Sequence, residues 1–136
     1  MTAADKWLRE QLVHNGARMR EVRRDLLRQE SGGTQRWFQG PDGCDLFLWY
    51  REPGGLVQIQ LTFHHRIIEW SEAEGLRTGR LISFDPLHPN QDQARISFDR
   101  AAERETLLSA RALLEQAPVD DVTLALVRAR LGLKAL

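Results

Sequence analysis

Between residues 57 and 63 hydropathy alternates residue by residue: Val57, Ile59, Leu61 and Phe63 are apolar, and Gln58, Gln60 and Thr62 separate them. Neighbouring side chains of a strand point to opposite faces. A period of two therefore predicts a strand with one face in a core and the other turned outward. Such a strand cannot stand alone. It needs partners along its edges and a cover for its apolar face, which restricts the chain to folds built on a half-buried antiparallel layer.

The flanking sequence supplies the partners. Asp45–Arg51 (DLFLWYR) reads as a strand, separated from the alternating segment by the turn-forming Glu52-Pro53-Gly54-Gly55. Arg66–Ser71 reads as the next, closed by Glu74-Gly75. Residues 80–84 follow, ended by Asp85-Pro86 and His88-Pro89-Asn90, and residues 94–98 make a fifth, with Ala94, Ile96 and Phe98 on one side. The expected sheet is an antiparallel meander of about five strands within residues 36–99. His64-His65 fits this scheme poorly, because two-residue hairpin turns favour Asn and Gly; a bulge or bend is expected there.

Helices are expected at both ends. Residues 3–30 read as one long helix with Asp5 near its cap and Arg23, Arg24 and Arg28 near its C-terminal dipole, closed by the turn-forming 29–34. Leu8, Leu12, Asn15, Met19, Val22 and Leu26 step along it by fours and threes, the spacing of a seam that docks within the domain or pairs with a second copy. Asn15 on that seam is a device for fixing register, and Gly16 invites a kink. Residues 100–133 read as a helical pair broken at Ala117-Pro118. Asp99 caps the first helix, and Val119, Val122, Leu126, Ala129 and Leu133 stripe the second, which stops at Gly132. The order helix, sheet, two helices defines an α+β fold, with residues 1–136 as a single domain.

Composition excludes more than it selects. The 136 residues carry 19 basic and 19 acidic side chains, so no global field draws the chain to nucleic acid or anionic lipid. One cysteine, Cys44, excludes an internal disulfide framework and a Cys-based zinc site. It lies beside Asp45 without a cationic neighbour in the sequence, so an unreactive thiol is expected. The polar N-terminus lacks a secretory h-region and no run is long enough to span a membrane. A cytoplasmic, membrane-free setting is the expectation.

No nucleophile elbow, phosphate loop, dinucleotide fingerprint or H-E-x-x-H occurs, and no cofactor is expected. His64, His65 and Glu69 are the nearest approach to a metal set, with His88 and Asp85 in a separate loop. On an extended strand His65 and Glu69 stand roughly 13 Å apart, and His64 and His65 point to opposite faces, so exposed or hydrogen-bonded histidines are the competing reading. Arg18, Arg20, Arg23, Arg24 and Arg28 could contact phosphates. Glu21 and Asp25 are interleaved at helical spacing, however, which favours a salt-bridged, solvated face over a nucleic-acid surface. The aromatic set Trp37, Phe38, Phe47, Trp49, Tyr50 and Trp70 crowds the first half of the sheet. Trp49 and Trp70, with Gln58 and Gln60, offer stacking area plus amide hydrogen bonds, the chemistry of a ligand or peptide site, unless a helix covers them.

The segment from Trp37 to Trp70, with DLFLW at 45–49, QIQL at 58–61 and a strand ending in Glu69-Trp70, resembles a small family of uncharacterised bacterial proteins. In that family a D-L-[FY]-[VL]-W strand is followed by an F-Q-L strand and another ending in Trp. The chain departs from that pattern at Ile59, where the family has Phe, and in the compressed His64-His65 connection. The resemblance implies a bacterial, cytosolic origin but no activity, cofactor or catalytic residue. The leading expectation is a non-enzymatic binding module with a homodimeric or other protein partner. Its rivals are a metal-binding protein or metal-dependent enzyme, and a nucleic-acid binder.

Overall fold

The computed structural model describes residues 2–23, 33–52, 55–82 and 95–136. A helix α1 (Ala3–Ala17) opens the chain, followed by a two-residue strand β1 (Arg20–Glu21). Strands β2 (Gly33–Gln39), β3 (Asp45–Arg51), β4 (Gly55–Phe63), β5 (Arg66–Ser71), β6 (Gly75–Ile82) and β7 (Arg95–Phe98) come next, and helices α2 (Arg104–Leu114) and α3 (Asp121–Arg130) finish it. The described strands form one sheet in the order β1 to β7, every neighbour antiparallel. The class is α+β, as expected, but the meander has seven strands rather than five. The additions are β1 and β2. Aromatic residues fall on both faces of β2 (Trp37 on one, Phe38 on the other), which hides its alternation. β6 begins at Gly75 rather than at 80, because the turn that closes β5 leads straight into the next strand.

The helices cover one face. Phe38, Leu46, Leu48, Ile59, Leu61, Phe63 and Ile68 from the strands meet Leu107, Ala110, Leu113, Leu114, Val127 and Leu131 from the helices in a single core. The expected apolar face of β4 holds at Ile59, Leu61 and Phe63 but slips at Val57. A β-bulge sets Trp49 opposite Gln58 and Tyr50 opposite Leu56. Val57 is the extra residue, and Leu56 takes its place in the core.

The largest departure is at the N-terminus. Thr2 caps α1, its hydroxyl accepting from the Asp5 amide and the Asp5 carboxylate accepting from the Thr2 amide, and Asp5 is thereby held below the ordinary carboxylate range. The helix then ends at Ala17 instead of running to 30. A straight helix of that length would extend about 42 Å, past the sheet it packs beside. Instead the chain turns at Arg18 and Met19 and pairs Arg20 with Gln39 and Glu21 with Phe38. The Val22 amide continues the ladder to the Trp37 carbonyl at 2.8 Å. Hydrogen bonds to the edge of the sheet outweigh the helix propensity of this segment.

Gly16 permits a close approach of two helices. A Cβ there would sit 1.6 Å from the Leu113 carbonyl oxygen, so α1 and α2 meet backbone to backbone at this point. Gly16 is a packing residue, and no kink is required of it.

At the C-terminal end Asp99 does not cap α2. Its carboxylate accepts from the buried Thr78 hydroxyl at 2.6 Å, and the same hydroxyl accepts from the Glu103 amide at 2.9 Å, which fastens the approach to α2 onto β6. Glu103 occupies the N-cap. Asp120 caps α3, accepting from the Thr123 amide, and Gly132 stops it in the left-handed region at φ 69°. Of the expected stripe, Val119 and Leu133 are buried and Leu126 packs against the core, but Val122 is 82% exposed and Ala129 is exposed, while Thr123, Leu124, Val127 and Leu131 are buried. Among the described residues no helix is long and apolar enough to cross a membrane.

Candidate functional site

Opposite the helices the sheet presents three cross-strand rows. The central row reads Trp37, Phe47, Gln60, Glu69, Arg77 across β2 to β6. Beside it runs Gln35, Trp49, Gln58, Ser71, Gly75, and on the other side Gln39, Asp45, Thr62, Ile67, Gly79, Phe98. No described helix packs on these rows. The hydrophobic core cluster draws its strand residues from the alternate positions, and on these rows Ile67 is itself fully buried.

Trp37 and Phe47 stack across the strand boundary with centroids 5.3 Å apart and planes 14° from parallel. Phe47 and Trp49 stack along β3 at 5.8 Å and 21°. Rings this close and this nearly parallel are in offset stacking contact. The Trp37 indole N–H donates to the Asp45 carboxylate at 2.9 Å, which fixes the first ring of the series. All three rings are half-buried. β4 contributes amides, and β5 and β6 contribute charge: Arg77 donates to Glu69 at 2.8 Å, reaches Glu74 at 2.8 Å and lies 3.9 Å over the Phe98 ring. The face thus runs from aromatic through amide to ionic.

Of the expected ligand residues, Trp49, Gln58 and Gln60 share this face and Trp70 does not. Trp70 pairs with Ile59, which is core, and its ring lies beneath Arg130 of α3 at 5.2 Å. Residue parity decides this, since Glu69 and Ser71 flank Trp70 and take the open side. Trp37 and Phe47, absent from the set expected from the sequence, belong in the site. Their signal is the i, i+2 pair Gln35-Trp37 answering Phe47-Trp49, legible only once β2 is paired with β3.

The metal set does not converge. His64 and His65 are the two central residues of a tight hairpin closed by Phe63 and Arg66, with φ of 46° and 61°. The turn is a two-residue hairpin rather than the expected bulge or bend, and the pair adopts the left-handed turn geometry that favours Asn and Gly, which histidine tolerates better than most residues. Both side chains are exposed. Glu69 is engaged with Arg77 in the middle of the open face, and His88 and Asp85 lie outside the described residues. Among the described residues no three His, Cys, Asp or Glu side chains group to hold a metal. A cavity of about 450 Å³ beside the turn, lined by Asp42, Phe63, His64, His65 and Leu81, brings the histidines to a carboxylate without completing a ligand set.

The N-terminal seam is used within the chain. Leu12, Asn15 and Met19 are buried and Val22 is half-buried, whereas Leu8 remains 39% exposed. Leu26 lies outside the described residues. Leu8 and Leu12 line a groove of about 500 Å³ between α1 and α2, together with Leu108 and Ala112. The described arginines do not share a helical face: Arg18 is the C-cap of α1, Arg20 belongs to β1 and Arg23 follows it, while Arg24 and Arg28 lie outside the described residues with Asp25. Glu21 pairs with Arg36 in a two-pronged contact at 2.9 Å on each arm.

Arg36 is the electrostatic centre of the covered side. Besides Glu21 it reaches Asp120 at 3.0 Å and the Thr123 hydroxyl at 3.1 Å, tying β1, β2 and the start of α3 together. The Glu21 hydrogen bonds raise its pKa above the ordinary arginine value. Asp120 is held down to about 2, first by the Thr123 hydroxyl and then by Arg36. Burial, reinforced by Asp42 and Asp45, pushes the Cys44 thiol up to about 11, which agrees with the unreactive cysteine expected from the sequence. These shifts serve the fold, and none lies in the aromatic rows.

Compared with protein-family models, curated proteins and solved structures, the chain matches none.

Proposed function

We propose that this chain is a binding module that engages a protein partner through the open face of its sheet. The observation that carries the reading is the Trp37–Phe47–Trp49 stack, standing on a face against which no described helix packs. Phe47 stacks with Trp37 across the strand boundary and with Trp49 along its own strand. Rings already stacked on one another offer less free face to a sugar or a nucleic-acid base than isolated rings would. The stack is flanked by the amides of Gln58 and Gln60. Aromatic rings with adaptable hydrogen-bonding groups around them are the composition of a protein interface core. A cytoplasmic setting belongs to the same proposal, supported by the single, buried thiol.

A photoreactive residue installed at Gln60, with a second at exposed Ala125 on α3 as control, tests the reading in cells producing the full chain. The expected result is a discrete protein adduct from position 60 that is absent from position 125. Equal, diffuse labelling from both positions, or none from either, overturns the proposal.

A further inference from the structure

We infer that the partner is a second copy of this chain, docked face to face across a two-fold axis that lies between the sheets and crosses the strands near Leu48. The inference rests on the binding reading above and names its partner.

The argument begins with β3, whose open-face residues read Asp45, Phe47, Trp49, Arg51: acid, aromatic, aromatic, base. The bulge opposite Tyr50 adds its extra residue to β4, so β3 keeps its phase and Arg51 stays on the side of Trp49. A two-fold axis perpendicular to the strands reverses β3 over its copy. Asp45 then lies over the second copy's Arg51, and Phe47 over the second copy's Trp49. The same operation carries Trp37 over Gln35, Gln58 over Gln60 and Glu69 over Ser71. On β3 apolar surface meets apolar surface and the two ends exchange opposite charges twice, on β4 amide meets amide, and at the flanks Trp37 meets an amide and Glu69 a hydroxyl. An isologous interface requires such self-complementarity of one patch. The other in-plane axis, parallel to the strands, would set the aromatic rings over the Glu69–Arg77 pair and leave Asp45 over Ile67.

Charge and size agree. The chain carries no net charge, so two copies do not repel as wholes. β3 is seven residues long, about 24 Å, and five strands at about 4.8 Å cover a similar width. The resulting patch of roughly 600 Å² reaches what each partner contributes to the smaller stable interfaces. Stacked sheets pack with strand directions within about 30° of one another, a geometry that the reversed β3 pair satisfies.

The test is the mass of the purified full chain in solution, measured by light scattering and by sedimentation over a dilution series. Wild type is expected to be a dimer. Asp45→Arg and Arg51→Asp are each expected to raise the dimer Kd about tenfold or more, because each places two like-charged pairs in the interface. Mixing the two variants in equal amounts is expected to restore the dimer. In the mixed pair each variant's two bases or two acids, at positions 45 and 51, face the opposite charge at both ends. Circular dichroism and melting curves on each variant confirm the fold. Arg51→Asp, at an exposed position, reports even if loss of the Asp45–Trp37 bond disturbs the other variant. A monomeric wild type, or single variants that dimerise as well as the mixture, overturns the inference. If wild type is monomeric while position 60 still labels a different protein, self-association fails and the binding reading survives. If position 60 labels nothing, both fall.

Discussion

The two faces of this sheet are built from the same strands on the same period of two, yet they answer to different demands. The covered face is Leu, Ile and Phe closed against three helices, a surface whose composition folding alone explains. The open face carries a ring stack, a pair of glutamines and an ion pair, none of which the core requires. Where aromatic surface stands with no described helix over it, another molecule is a natural cover to test for.

Matched substitutions on the two faces put that distinction at risk. Leu61→Ala on the covered face is expected to lower stability by about 3 kcal/mol, whereas Gln60→Ala next to it on the open face changes it by less than about 0.5 kcal/mol. Chemical denaturation of both reads the difference, and equal losses would end the distinction. Gly16→Ala is expected to lower stability by about 2–3 kcal/mol, because its methyl group meets the Leu113 backbone; a neutral result in the same assay would separate α1 from α2. Phe47→Ala removes the middle ring of the stack and is expected to lower stability by about 1–2 kcal/mol. It should weaken association more than it weakens the fold, and thermal melts beside sedimentation show which loss dominates.

Acid should act on the covered side first. Asp120 titrates near 2 in the folded chain against an ordinary 3.8, so between those values the unfolded chain binds a proton that the folded chain refuses. Stability from this group is present above about pH 4 and is lost as pH falls toward 2. The side chain is 52% exposed, and solvent screening limits the effect to about 1 kcal/mol. Asp120→Asn, which keeps a capping oxygen, should flatten that slope in a pH series of melts. Smallest of all, Val122→Asp is expected to leave stability within about 0.5 kcal/mol, since Val122 faces water; a larger loss would restore the phase read from the sequence.

Strands β3 and β5 are legible to the residue, because turn chemistry bounds them and their side chains suit a pleated layer. So are the break at Ala117-Pro118 and the stop at Gly132. The end of the first helix is not, for a physical reason: residues 18–23 have sound helix propensity, and only the sheet edge beside them offers better hydrogen bonding. The hairpin at His64-His65 runs against turn preference, as flanking pairing can hold histidine in a conformation it does not favour. At the candidate site, Trp49, Gln58 and Gln60 come together because one strand register relates them. Trp70 on the far side and Trp37 on the near one each depend on parity in a neighbouring strand.

Alternation at 57–63 points to a two-faced antiparallel layer, and apolar stripes at helical spacing need such a surface to cover; that much is written in the order of residues. Which face the helices took, where the first helix gave way to an edge strand, and which aromatic rings came to stand together were settled only on folding. Those outcomes depend on hydrogen bonds and contacts between residues far apart in the chain, and local periodicity carries no record of them.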